Sequence, residues 1–369
     1  MSPPLPIIRH ATAEDLDALV ALEQRCFESD RISRRSFRRF LKVESAVVLI
    51  AATESGVAGS AVMLFRSGTA LARLYSLAVD PAAQGRGLGA ALLEACETAA
   101  IEHDRLILRL EVRADNAAAC GLYRSRGYRA CGQVPDYYED GMTALRFEKL
   151  LHDTGFANAA APYYQQSTEF TCGPACLAMA LKHFESGVEL TQRLELRLWR
   201  EATTIYLASG HGGCGPYGLA VAAVRRGLAA EIRINTTDFL FLASVRDPEK
   251  QRVMRIAQQD YRDEAARLGI KDRREILGPR ELAEQVAGGA VALVLISGYQ
   301  MFRRKEPHWV LVHSSDARHL VIHDPWLEYE GFESATDSSN LPIPDAAFDR
   351  MARWGRAGVR AQVLLRRAG

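Results

Sequence analysis

Two rhythms of apolar and polar positions run through the first half of the chain. In "ATAEDLDALVALEQRCF" the apolar residues recur at helical spacing, with Thr12 as N-cap before Asp15. "AVVLIAAT", "GVAGSAVMLF" and "ARLYSLAVD" are short runs rich in β-formers and predict three successive strands. "GAALLEACETAAIEHD" predicts a helix and "RLILRLEVR" a strand. "NAAACGLYRSRG" predicts a short helix ended by Gly127, and "GMTALRFEKLL" a last strand. The periodicity then stops. "HDTGFANAAAP" is small, polar and aperiodic, as a linker would be.

Beyond that seam, "CGPACLAMALKHF" predicts a helix, and a glycine-rich turn, "SGHGGCGPYG", leads into a second one, "LAVAAVRRG". A long charged helix is expected over about 248–268, and another over "RELAEQVAGG". "AVALVLISGY", "HWVLVHSS" and "HLVIHDPW" read as three strands with short breaks. The expected organisation is one domain over 1–151, a linker over 152–161 and a second domain over 162–369. Neither half holds a repeat or a low-complexity tract.

Composition narrows the function classes. At a net charge of +1 the chain has no basic excess for nucleic acid or a membrane surface. No apolar run is long enough to span a bilayer, and the N-terminus lacks the pattern of a secretory signal. The seven cysteines are odd in number and scattered, which predicts reduced thiols and a cytoplasmic protein.

The first candidate site follows the strand "LYSLAVD". There "PAAQGRGLGAALLEA" sets Gln84, Gly87 and Gly89 in a turn that opens a helix. A helix N-terminus presents unpaired N–H groups and the positive end of a dipole. Glycines let that backbone close on a diphosphate, and Arg86 adds charge. This turn, with "LEVRADNAAACGLYRSRGY" after it, resembles the GNAT superfamily of acetyl-coenzyme A N-acetyltransferases over about 6–151. It is most similar to the branch that acetylates protein N-termini, such as ribosomal-protein alanine. The resemblance implies a mixed central sheet with flanking helices and acetyl-coenzyme A as cofactor. It implies that the amides of Gln84, Gly85, Arg86, Gly87, Leu88, Gly89 and Ala90 hold the diphosphate. Leu77 and Val79 would contact the pantetheine arm through their backbones, and Asn116 would hold it from the next helix. An amine must lose a proton before it attacks a thioester, and the leaving thiolate must gain one. Glu111 and Tyr123, twelve residues apart, stand where this branch places its base and its acid.

The second candidate site centres on "TEFTCGPACLAMAL". Cys172 and Cys176 lie one helical turn apart and admit four readings: nucleophile, zinc ligands, redox pair or core. Zinc needs four ligands, and His183 and Cys214 form no familiar pair with these, so no metal is expected. A redox pair is usually spaced by two residues, and here there are three. Cys176 sits in an apolar run and reads as core. Cys172 precedes Gly-Pro at a helix start, where the dipole favours thiolate.

A cysteine nucleophile needs a base, an orienter and oxyanion donors. His308 begins one strand and Asp324 ends the next, so a hairpin would bring them together. The Cys172 backbone N–H and the Gln166 side-chain amide would be the oxyanion donors. His313 and His323 are rivals for the base. Strand alternation turns His313 away from His308, and His323 away from its neighbour Asp324. Cys214 also precedes Gly-Pro, lacks a glutamine at the same spacing, and reads as a turn residue.

Gln166, Cys172, His308 and Asp324 together resemble the papain-like peptidases that remove double-glycine leaders from bacteriocin precursors. The likeness runs from about residue 162 to the C-terminus and implies an α+β cysteine peptidase domain. The combined expectation is an α/β protein of two enzymatic domains acting on a peptide or protein, with no nucleic-acid or membrane partner. The same residues also permit acyl or amide transfer, or a domain that holds a peptide without cutting it.

Overall fold

The computed structural model describes residues 7–53, 56–151, 161–203, 212–242, 245, 247–299, 306–316, 318–327 and 338–368. The chain divides into two compact units, Met1–Thr154 and Gly155–Gly369. Apart from Ala161, the segment expected as linker lies outside the described residues.

The first unit is built on strands β1 (Ile7–His10), β2 (Ala46–Thr53), β3 (Gly56–Phe65), β4 (Leu71–Val79), β5 (Ile107–Arg113), β6 (Arg129–Val134) and β7 (Ala144–Leu150). They form one sheet in the order β1-β2-β3-β4-β5-β7-β6. Every pair is antiparallel except β4–β5, which is parallel. Its helices are α1 (Leu16–Cys26), α2 (Arg34–Phe40), α3 (Leu88–Glu102) and α4 (Ala117–Ser125).

Alternation along β5 sends Leu108, Leu110 and Val112 into the core shared with α3. Arg109 and Glu111 fall on the opposite face. Arg109 is only 1% exposed, and its guanidinium is held at 3.0 Å by Glu148 of β7. Ahead of α1, Thr12 is the N-cap of the short turn Ala13–Asp15, and the Asp15 carboxylate accepts from the Thr12 N–H at 2.7 Å.

The second unit holds β8 (Leu228–Ile234), β9 (Lys271–Arg273), β10 (Val291–Ser297), β11 (Pro307–Ser315), β12 (His319–His323), β13 (Leu341–Pro344) and β14 (Ala361–Arg367). Their order is β13-β12-β11-β10-β14-β8-β9, antiparallel except for β8–β9. The helices are α5 (Cys172–Phe184), α6 (Gln192–Ala202), α7 (Pro216–Arg225), α8 (Pro248–Arg267), α9 (Pro279–Ala287) and α10 (Asp345–Met351).

Nearly every residue of α5 is buried. Such all-round burial marks a central helix rather than a surface one. Its core partners include Leu219 and Val221 of α7 and Trp309 and Leu311 of β11. In the β11–β12 hairpin Leu311 pairs with His323 and Val312 with Ile322, after which the register shifts between Val312 and Ser314. The extra residue is His313. Simple alternation therefore fails at that position. No helix among the described residues is long and apolar enough to cross a membrane.

Candidate active sites

In the first unit, β4 and β5 pair only from Leu71–Ile107 to Leu74–Leu110. Beyond that point β4 continues with β3 alone, Leu77 opposite Ala61 and Val79 opposite Gly59. β5 continues with β7. The two parallel strands part, and the backbone edge of β4 from Tyr75 onward faces a gap. The loop after β4 is tied by Asp80, whose carboxylate accepts from Ala82 N at 3.0 Å. Gly85 and Gly87 take φ of 75° and 79°, and Gly87 is the N-cap of α3. Side-chain-bearing residues avoid that backbone region, so the turn requires glycine. Leu88, Gly89 and Ala90 then form the first turn of α3, where no helix carbonyl can accept their N–H groups.

Other predicted residues of this unit have structural duties as well. The Val79 carbonyl accepts from Gln84 Nε2 and from Cys26 Sγ, each at 3.4 Å. Asn116 caps α4, its Oδ1 accepting from Ala119 N at 3.0 Å. The Glu111 side chain is 4% exposed, with Arg73 Nε at 3.0 Å and Arg146 Nε at 3.7 Å. Arg73 in turn donates to the Tyr137 hydroxyl at 2.6 Å. Tyr123 packs against Tyr128 and Phe147, and burial pushes its hydroxyl well above the usual tyrosine value.

Glu23 of α1 was not foreseen. It is buried, one oxygen accepts from Ile32 N at 2.8 Å, and the other has no hydrogen-bond partner. Burial raises its pKa from 4.5 to about 7. In sequence it is one more polar residue of an amphipathic helix, with nothing to mark its burial.

The second unit brings Gln166, Cys172 and His308 to one cleft, which Glu169, Gly298, Glu306, Pro307 and Trp326 complete. Cys172 is the first residue of α5. His308 Nε2 lies 2.7 Å from Asp324 Oδ1. That same oxygen accepts from Trp326 N at 2.9 Å, while Asp324 N donates to Ser338 O at 2.8 Å. Cys172 interacts with the same imidazole, and with Nε2 engaged by Asp324 it is Nδ1 that is left for the sulfur. Burial works against a charged imidazole, but Asp324 and Cys172 outweigh it and raise the His308 pKa to about 10.

Gln166 N donates to Pro325 O at 2.9 Å, and its Nε2 donates to Thr168 O at 2.7 Å. The Gln166 Oε1 is buried without a partner.

The rival residues lie elsewhere. His323 Nε2 donates to Ala161 O at 2.8 Å, and its Nδ1 accepts from Asn340 N at 3.0 Å. This tautomer leaves it no proton or lone pair for catalysis. His313 lies against His323, the ring centroids 4.1 Å apart and the rings tilted by 32°. Cys176 is fully buried and its Sγ donates to Trp309 O at 3.4 Å. Cys214 is buried too, with its carbonyl accepting from Trp309 Nε1 at 3.0 Å. Burial raises both thiols well above the usual cysteine value. Among the described residues, no group of three or more His, Cys, Asp or Glu is placed to hold a metal.

Comparison with known proteins falls into the same two parts. Residues 161–366 match the Peptidase_C39 like family, and residues 9–151 match the acetyltransferase (GNAT) domain. The ribosomal protein bS18 alanine N-acetyltransferase of Escherichia coli strain K12 is 45% identical over 67 residues, 18% of this chain and 45% of that protein. The chain thus spans under half the length of that relative. An uncharacterized N-acetyltransferase of Methanocaldococcus jannaschii is 31% identical over 141 residues, 38% of this chain and 88% of its own length. The crystal structure of the Escherichia coli ribosomal-protein-S18-alanine N-acetyltransferase aligns at 28% identity and a TM-score of 0.37, over 43% of this chain and 100% of that one.

Proposed function

The chain belongs to the Peptidase_C39 like family, with an acetyltransferase (GNAT) domain ahead of that match, and from this premise we propose a bifunctional enzyme. The second unit cleaves a peptide with Cys172, His308 and Asp324. The first acetylates an amine, in our reading the N-terminus of a peptide or protein.

The observation that carries the hydrolase half is the 2.7 Å bond from His308 to Asp324, with Cys172 interacting with the same imidazole. Asp324 fixes the ring and stabilises its charge. His308 already holds the Cys172 proton as the imidazolium of an ion pair, and the thiolate attacks the scissile carbonyl carbon. The oxyanion that forms is met by the Cys172 N–H and a Gln166 Nε2–H. His308 returns the proton to the leaving nitrogen, which departs as a new α-amine. Water, deprotonated by His308, then hydrolyses the thioester and frees the thiol.

In the first unit the open edge of β4 and the left-handed glycine turn suit acetyl-coenzyme A. Gln84 to Ala90 would take its diphosphate, and Leu77, Val79 and Asn116 its pantetheine. Once bound, it supplies an activated acetyl thioester. Glu111 receives the amine proton. An α-amine, of pKa about 7.7–8.0, gives up its proton more readily than a lysine does. Tyr123, kept protonated by burial, delivers a proton at the sulfur.

The test is mass spectrometry of a peptide library incubated with the protein and acetyl-coenzyme A. Cleaved members should vanish with Cys172→Ala while acetylated ones persist. A library that is acetylated but never cut would leave the transferase alone standing.

A further inference from the structure

Glu195 lies on α6, outside every motif that the sequence marks, yet its exposure is 0%. A buried carboxylate is costly unless donors or a cation meet it. Three donors converge on this one. Oε2 accepts from the Tyr164 hydroxyl at 2.8 Å. Oε1 accepts from Ser167 N at 2.8 Å and from the Thr171 hydroxyl. Among the described residues none of these partners is a cation. Instead, Glu195 stands in the first turn of α6, and Thr171 is the N-cap of α5. The positive dipole ends of two helices therefore face the carboxylate.

The partners define what it does. Ser167 and Thr171 bracket the loop between Gln166 and Cys172, and one oxygen closes both ends of it. Thr171 Oγ1 is 2.8 Å from Thr168 Oγ1. With the Thr171 proton given to Glu195, Thr168 is the donor of that pair. The Thr168 carbonyl holds Gln166 Nε2 at 2.7 Å. One N–H of the Gln166 amide is thereby fixed, and geometry fixes the direction of the other.

We propose that Glu195 is the positioning residue of the oxyanion site, holding the loop that aims the Gln166 amide beside Cys172. The inference rests on the hydrolase reading above. It predicts that Glu195 matters for attack on a carbonyl and not for the thiol's reactivity as such.

Two probes separate these. Iodoacetamide is displaced at a saturated carbon, with no oxyanion. 4-Nitrophenyl acetate passes through one: the Cys172 thiolate, its proton held on His308, bonds to the carbonyl carbon, and 4-nitrophenolate leaves an acetyl thioester. Both adducts are read at the Cys172 peptide by mass spectrometry, on the full chain.

Glu195→Gln should slow acylation roughly tenfold or more, a fraction of the loss when an oxyanion donor is deleted, while alkylation stays within about twofold. Thr171→Val gives a second reading should the first variant fold poorly. The Thr171 hydroxyl makes no capping bond to α5, so the helix start survives. Thr171→Ser keeps the hydroxyl and should restore acylation. Equal loss of both rates would mean general loosening and overturn the proposal, as would two unchanged rates. Wild-type Cys172 that is alkylated but never acylated would overturn the hydrolase reading, and this inference with it.

Discussion

His308 and Glu23 are both pushed from their ordinary pKa by burial and partners, in ways with opposite uses. Asp324 and Cys172 hold the imidazole charged up to about pH 10. A cation therefore sits beside the Cys172 sulfur through the neutral range. Alkylation of Cys172 should be fast across the neutral range, and His308→Ala should slow it there. Peptide mapping after brief iodoacetamide exposure measures this, and identical profiles in the two proteins would break the pair.

Glu23 works on stability. Its pKa of about 7 in the folded state lies above its ordinary 4.5, so folding favours the protonated acid. Stability is then greatest below the unfolded value and declines as pH rises from there through 7, by roughly 3 kcal/mol in all. Glu23→Gln keeps an acceptor for Ile32 and removes the charge. Its first unit should gain melting temperature over wild type at pH 8 but not at pH 4, as calorimetry would show. Parallel pH dependences would return Glu23 to solvent.

At the scale of elements, the turn into α3 and the parting of β4 from β5 make the proposed receptor for acetyl-coenzyme A. Gly87→Trp forces a bulky side chain onto a left-handed N-cap beside the amides proposed for the diphosphate. It should abolish acetyl-coenzyme A binding by titration calorimetry while leaving Cys172 labelling intact; unchanged binding would move the cofactor elsewhere.

The elements around this receptor were legible because each has a local signature. β2 and β3 lie on the runs read as strands, and α3 and α4 start within a residue of expectation. β8 and β14 were not foreseen. They pair with each other across the second unit, Ile234 opposite Ala361, and no local pattern announces so distant a partner. α6 was missed for another reason. Glu195 interrupts its apolar stripe at a buried position, so the helix reads as a charged segment. The proposed nucleophile, base and orienter stood out because their residue types are unusual at strand and helix ends. The carboxylate behind them did not, since its importance lies in three hydrogen bonds that only the fold creates.

For the molecule as a whole, the two proposed activities meet in one chemical group. Peptide cleavage releases an α-amine, and a unit on the same chain that accepts α-amines meets it at an effective concentration set by the connecting chain. A cleaved substrate should therefore yield its C-terminal fragment N-acetylated when acetyl-coenzyme A is present. Cys172→Ala should stop both events for the intact peptide yet still allow acetylation of the pre-cut one. A pre-cut peptide that stays unmodified while another amine is acetylated would separate the two reactions.

The lining of the cleft also makes the cysteine unit its own optical probe. Of the chain's four tryptophans, Trp326 alone lines the cleft, two residues past Asp324, whereas Trp309 is 2% exposed in the core. A peptide seated against Cys172 displaces water from the Trp326 indole and leaves Trp309 as it was. Substrate entry then carries a blue shift of intrinsic fluorescence, so the pre-chemical complex becomes visible in unlabelled protein before any bond is cut.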